Sequence, residues 1–308
     1  MIGKRTVLGI KIESTYNTDA VPVAATDAVL VDNPQYQLDG RMYDRIPVKN
    51  TLGALPGLYG GALMTITFDA DVKGSGVAGT AGELGPALRA CGLQETVVPA
   101  TSVTYAPRSS GHESVTIYMW QDGLLYKMTG ARGKVTAALK TGEPGKLSFS
   151  FMGHFTGPTD VALPAPTYDA AVPVALLGLS GFLVDSYAAT VSSIAFDMGT
   201  EIGTPDDISA ADGYDEVTIT GRRVTGSIDP LLKTVATYDW VGKWQAAGAA
   251  ALATGTVGAS AGNIFALSMP KVQYSAVGPS ERSGVLAREV AFLAAENTGD
   301  DELSLAFT

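Results

Sequence analysis

The sequence predicts a mainly β protein of two halves that repeat one another, each with one short flanking α-helix. Three observations predict it: apolar and polar residues alternate along most of the chain, helical patterns are few and short, and the strand, loop and helix order of the first half recurs in the second. Alternation is clearest over residues 64–73, where Met64, Ile66, Phe68, Ala70 and Val72 share one face and Thr65, Thr67, Asp69 and Asp71 the other. That is the pattern of a half-buried antiparallel strand.

In chain order, similar strand signals cover residues 28–38, 113–122, 124–133, 133–142, 146–155, 192–202, 216–228, 264–277 and 285–296. The helices are expected over Glu83–Cys91, closed by Gly92, and Ala236–Ala247, closed by Gly248, because glycine readily takes the left-handed conformation that ends a helix. The halves answer each other in detail. Thr65-Ile66-Thr67 corresponds to Thr218-Ile219-Thr220, the helix endings Ala90-Cys91-Gly92 and Ala246-Ala247-Gly248 match, and residues 133–153 parallel 270–294 as two strands joined by a turn of Gly, Pro and charged residues. A diverged internal duplication follows, with a first unit at 1–157, a second at 179–308, and a connector at 158–178 stiffened by Pro158, Pro164, Pro166 and Pro173.

Residues 39–62 read as a long irregular loop, mixing Tyr43, Leu52, Leu55, Leu58 and Tyr59 with charges such as Arg45. Loops of that length in compact domains are commonly functional or ordered by a partner. Its counterpart at 203–216 is shorter and acidic, so the copies diverge where a partner would be met.

Composition narrows the function. The 308 residues are 46% hydrophobic, ample for a buried core throughout, and 31 acidic against 21 basic residues give a net charge of −10. Such a surface repels nucleic acid and anionic lipid rather than gripping them. A single cysteine, Cys91, excludes an intrachain disulfide and suits a cytoplasmic origin. Lys11 and Glu13 interrupt the N-terminal apolar run, and the apolar segment 172–184 is too short for a membrane helix, so no membrane association is expected.

The chemical motifs are weak. Gly74, Gly76 and Gly79 have the G-x-G-x-x-G spacing of a dinucleotide loop, but the preceding strand alternates and carries two aspartates, and no βαβ unit follows. Residues 131–136 and 142–148 contain Gly-Lys without the full phosphate-loop spacing and read as β-turns. His112, His154 and Cys91 are one ligand short of a zinc site, and Cys91 reads as a packed apolar residue. Asp206, Asp207, Asp212, Asp215 and Glu216 lack the alternate carboxylates of an EF-hand and read as a solvated acidic loop. Trp240 and Trp244, four apart on the second helix, would share a face that packs on a sheet or, with Trp120 as a further candidate, binds a ligand by stacking. No cofactor, no metal and no catalytic site is expected.

Two stretches carry a resemblance. Residues 9–40, with Glu13-Ser14-Thr15-Tyr16-Asn17-Thr18-Asp19, and residues 53–92, with the Gly74–Thr80 loop before the helix ending in Ala90-Cys91-Gly92, resemble the major tail (tail tube) proteins of long-tailed bacteriophages with non-contractile tails. The likeness covers most of the first half, and the second half in outline. It implies two tandem tail-tube-type β-sandwich domains that close into a ring-shaped β-barrel on oligomerisation, three chains completing a pseudo-sixfold ring. It further implies rings stacked into a virion tail tube, synthesised and assembled in the host bacterial cytoplasm. The partners would be further copies of the chain, a tape measure protein and tail-end proteins, with double-stranded DNA passing through unbound. Thr65, Thr67, Asp69, Asp71, Thr218 and Thr220 would face the lumen as an acidic wall. Tyr43, Arg45, Leu52, Leu55, Leu58 and Tyr59 would contact the neighbouring ring. A head-decoration or baseplate protein, or a glycan-binding β-sandwich, would share the composition.

Overall fold

The computed structural model describes residues 2–173, 175–177 and 181–308. The first half contains β1 (Thr6–Ile12), β2 (Ala28–Val29), β3 (Asp32–Arg45), β4 (Leu55–Asp71), α1 (Gly85–Ala90), β5 (Leu93–Val98), β6 (Ser102–Pro107), β7 (Val115–Gln121), β8 (Leu124–Lys140) and β9 (Lys146–Asp160). The second contains β10 (Leu183–Val184), β11 (Tyr187–Ala188), β12 (Ser193–Asp197), β13 (Glu201–Gly203), β14 (Thr218–Gly221), β15 (Thr225–Ile228), α2 (Trp240–Gln245), β16 (Ala249–Val257), β17 (Phe265–Arg282), β18 (Val285–Ala294) and β19 (Ser304–Phe307).

One antiparallel sheet crosses both halves in the order β3-β4-β9-β8-β12-β15-β18-β17. Four strands come from the first half and four from the second, each set beginning with a strand paired to its next in sequence along the sheet. The join is β8 to β12, with Thr136 opposite Asp197 and Lys140 opposite Ser193. A second layer uses the N-terminal parts of the long strands: β7, β1 and β2 extend from β8, while β16 and β10 extend from one side of β17 and β19, β6 and β5 from the other. Side chains from both layers and both halves, among them Ile10, Ile66, Phe151, Ile194, Phe292 and Met269, form one continuous core. The halves are therefore stitched twice, at β8–β12 and at β6–β19, where Leu305 faces Tyr105.

Several expectations change. Residues 124–142 hold one strand, β8, so the turn expected at 131–136 is strand interior; a bulge between Thr129 and Arg132 takes up Gly130, and Gly133 pairs regularly with Phe151 of β9. The turn at 141–145 is present between β8 and β9. Residues 39–62 are no irregular loop: β3 and β4 continue as a hairpin to Arg45 opposite Leu55, leaving 46–54 as the tip. Strand β9 runs to Asp160, opposite Leu124, so the chain leaves the sheet after residue 160 rather than at 158. The connector then lies over a small outer cluster of Val7, Tyr118, Trp120 and Leu125, with Leu163 and Tyr168 packed on it. The second unit's expected start at Leu179 lies outside the described residues.

Helix α1 ends as expected, with Gly92 at φ +87°. Helix α2 starts later than expected, because Asp239 adopts a non-helical cap conformation and its carboxylate accepts from Gly242 N at 2.8 Å. It also stops on Ala247 at φ +50° rather than on Gly248.

Candidate assembly surface

Directly opposed residues of neighbouring strands point to the same side of a sheet. One row of the long sheet runs Asp32, Asp69, Ser148, Thr136, Asp197 and Thr225 across both halves. Next to it lie Thr67 with Ser150 and Lys134, and Asp71 with Lys146 and Ala138. The opposite face carries the core, with Phe68, Phe149 and Phe151 stacked. The result is a continuous polar face behind one apolar core. Thr65, Thr67, Asp69 and Asp71 stand on this polar face as the alternation requires.

Thr218 and Thr220 do not stand on it. They belong to β14, which pairs with β13 in a separate two-stranded ribbon. Residues 222–224 break the strand that is continuous in the first half, so Thr225 and Ser227 of β15 take the corresponding places in the long sheet. Nor is the face purely acidic: Lys134, Lys140 and Lys146 sit among its carboxylates, and Lys146 Nζ pairs with Asp32 at 2.6 Å.

The acidic segment after β13 keeps Asp206 and Asp215 exposed, as expected of a solvated loop, but the first half holds it at several points. Arg41, on the arm formed by the β3–β4 hairpin over residues 39–62, binds Asp206 at 2.6 Å and stacks over Tyr214. His154 Nδ1 meets Asp212 at 2.6 Å, which leaves Nε2 to accept from the Tyr16 hydroxyl 3.0 Å away. Burial pushes the Tyr16 hydroxyl up to about 12, so it stays protonated while its oxygen accepts from Val217 N. Arg132, buried, donates to Glu216 Oε1, Val217 O, His112 O and Glu113 O. The histidines thus hold polypeptide together. Cys91 is buried in the core, and burial pushes its thiol well above the usual range.

The glycine loop has a structural reason too. Gly74 N donates to Asn263 Oδ1 at 2.9 Å and Gly76 N to Gly262 O at 3.2 Å, bringing the loop onto residues 262–263 of the second half. A Cβ on Gly74 would collide with Gly262 O. Lys73, buried beside the loop, pairs with Glu83 at 3.0 Å and donates to Asp169 O. Backbone occupies the space that a pyrophosphate would need.

The N-terminal Glu13–Asp19 stretch is an anchor. Glu13 is buried and accepts from Ser114 Oγ, Thr116 Oγ1, Gly130 N and Asn17 N at 2.6–2.9 Å. The arm carries the reverse character: Ile46, Val48 and Leu52 at its tip, and Met42, Tyr43, Leu58 and Tyr59 on its sides, are exposed. Arg45 and Leu55 close its pairing.

A family model described as phage tail tube protein matches residues 3–308. The chain belongs to that family. No curated protein matches it. Its role is therefore structural, as a major tail protein of a bacteriophage tail tube, assembling with other copies and other tail components in the virion tail. Among the described residues no helix is long and apolar enough to cross a membrane.

In this tail tube protein the tryptophans do not form a stacking pair. Trp240 is 2% exposed among Tyr187, Tyr238 and Tyr274, whereas Trp244 is 41% exposed and donates to Ser275 O. The short helix turns one side chain into the aromatic core and leaves the other outside it. Trp120 is buried edge-on against Tyr118.

Several carboxylates tie distant segments together. Burial would raise Asp19 and Asp185, but donors outweigh it: Tyr118, Val21 N and Lys127 at Asp19, and Lys243 and Ala251 N at Asp185. The Arg89 hydrogen bond holds Glu113 below its ordinary 4.5, and Ser109 and Arg222 hold Asp300 below 3.8. A carboxylate with a lowered folded-state value stabilises the fold above its unfolded value and loses that contribution as pH falls through the folded one. Thermal midpoints are expected to be level from pH 7 to about 5 and to fall steeply below about 4. Midpoints level down to pH 3 would overturn this.

Proposed function

We propose that each chain supplies two units of a hollow ring, and that three chains close a pseudo-sixfold ring whose stacked copies conduct double-stranded DNA. The observation that carries this reading is the β8–β12 join, where two four-stranded sheets of matching order already meet edge to edge behind one polar face. Repetition of that join around an axis turns an open sheet into a barrel without edges. The polar face with Asp69, Thr67, Thr136, Asp197 and Thr225 lines the lumen. The mixture of carboxylates with Lys134, Lys140 and Lys146 makes its repulsion of the duplex weaker than an acidic wall would give, and Lys146, paired with Asp32, has less charge free for phosphate. The arm tip at Leu52, with Tyr43, Arg45, Leu55, Leu58 and Tyr59 behind it, reaches the neighbouring ring. A tape measure protein and tail-end proteins set the tube's length and ends, and assembly takes place in the host cytoplasm.

Electron microscopy of the concentrated protein tests this. The expected result is hollow rings or tubes with six lobes from three chains, the Asp69 face inward. Rings of six chains, or the Asp69 face outward, would overturn it.

A further inference from the structure

Each half sends one hairpin out of the long sheet. In the first half β3 and β4 stay paired from Asp32 opposite Asp69 to Arg45 opposite Leu55. In the second half the pairing breaks: residues 194–197 face β15 in the long sheet, and β13 faces β14 in the separate ribbon. The break includes Gly199 at φ +56°, where a Cβ would collide with Arg223 O, so the chain can turn there. The turn lays residues 204–217 on the root of the arm. Val217 is held at both backbone groups, its O by Arg132 Nη1 and its N by the Tyr16 hydroxyl oxygen. Asp206 and the Tyr214 ring both hold the Arg41 guanidinium, the ring centre 4.2 Å away. Gly61 is buried so close to Asp212 that a Cβ would collide with Asp212 O. These contacts fall on a weak point of the arm. Arg41 stands opposite Gly60 and Gly61 at a bulge, between the pairs Gly40–Ala62 and Met42–Tyr59. A bulge bends a strand and increases its twist, and beyond this one every residue from 42 to 54 is exposed. Apart from Ile208, which is exposed, residues 204–217 have the reverse character of the arm tip, with Tyr214 and Val217 buried and Asp206 and Asp215 in solvent.

We propose that residues 204–217 are a second arm turned back as a brace, and that their grip at Arg41 and Gly61 sets the direction in which the first arm leaves the sheet. The inference rests on the reading of the arm as the contact between rings and goes beyond it. A three-chain ring of six units then presents three arms rather than six, because the other three hairpins are spent inside their own chains. Arg41 and Tyr214 are positioning residues for stacking. A two-stranded ribbon has little stability of its own, so an arm bent at a bulge needs its root held from outside the ribbon. The brace does this on both strands, at Arg41 of β3 and Gly61 of β4, on the level where the ladder is irregular.

The test uses the full-length chain. Hydrogen exchange of the unassembled protein is expected to show amides 40–45 and 57–62 exchanging roughly tenfold faster in Arg41→Gln, with β8 and β9 unchanged. The thermal midpoint should not move, because an exposed ion pair contributes little to global stability. Tube growth by the same variant is expected to slow. Arg5→Gln breaks another exposed pair, with Asp122, and is expected to change neither exchange at the arm nor growth. Arg41→Asp combined with Asp206→Arg restores opposite charges and should recover part of both. Wild-type exchange in Arg41→Gln, or faster exchange with wild-type tube growth, overturns the brace. Electron microscopy of assembled tubes separates this from the ring reading. Three-chain rings in which residues 204–217 leave the arm root for the next ring overturn the brace and leave the ring standing. Rings of six chains with residues 204–217 seated on their own arm overturn the ring reading and leave the brace.

Discussion

Arg132→Met is expected to cost about 3–5 kcal/mol, from about 1–3 kcal/mol for each buried acceptor left without its donor, not fully additive. The guanidinium is 7% exposed and spreads four donations over Glu216, Val217, His112 and Glu113, so one side chain satisfies backbone carbonyls from both halves. Its loss strands those carbonyls in the join. Arg132→Lys should recover less than half of the deficit, because a single ammonium cannot match a planar fork aimed at separated acceptors. Glu216→Gln should cost no more than about 1 kcal/mol, since the Glu216 side chain is 45% exposed and water replaces what it loses. Urea denaturation of the three variants checks the order. A Glu216→Gln cost equal to that of Arg132→Met would place the stabilisation in the charge pair rather than in the carbonyls.

Gly74→Ala is expected to cost about 2–3 kcal/mol by overpacking, because the added methyl meets the Gly262 carbonyl of the other half, which is backbone and cannot swing aside. Gly76→Ala gives the comparison. That residue has φ +77° but only Ala171 Cβ at 3.7 Å nearby, so its cost is the left-handed alanine alone, about 1–2 kcal/mol. Equal values from denaturation would mean that the loop does not need its close approach to residue 262. The larger effect at Gly74 would show that the spacing of these glycines serves the contact between halves.

Much of the architecture was legible. The 64–73 strand, the helix near 85–90 with its glycine stop, and the repeat of Thr65-Ile66-Thr67 in Thr218-Ile219-Thr220 are local patterns, and they are present where periodicity and capping place them. The failures share a cause. Thr218 and Thr220 keep the alternation of their counterparts, yet residues 222–224 turn their strand out of the long sheet, and alternation carries no information about which neighbour a strand finds. The acidic segment 206–216 keeps Asp206 and Asp215 in solvent, but its holds by Arg41, His154 and Arg132 come from sequence positions far before it. Trp240 and Trp244 share a helical face by spacing, while the depth of each is decided by the strands around it.

By itself the sequence determined the mainly β character, the sites of both helices and the tail tube family, because each is written in residues close together or in order along the chain. Only the tertiary structure decided that the halves share one sheet and that the glycine loop meets backbone of the other half. Those outcomes depend on pairs such as Thr136 with Asp197 and Gly74 with Gly262, whose partners lie in different halves of the chain and are brought together by burial of the common core rather than by any local preference.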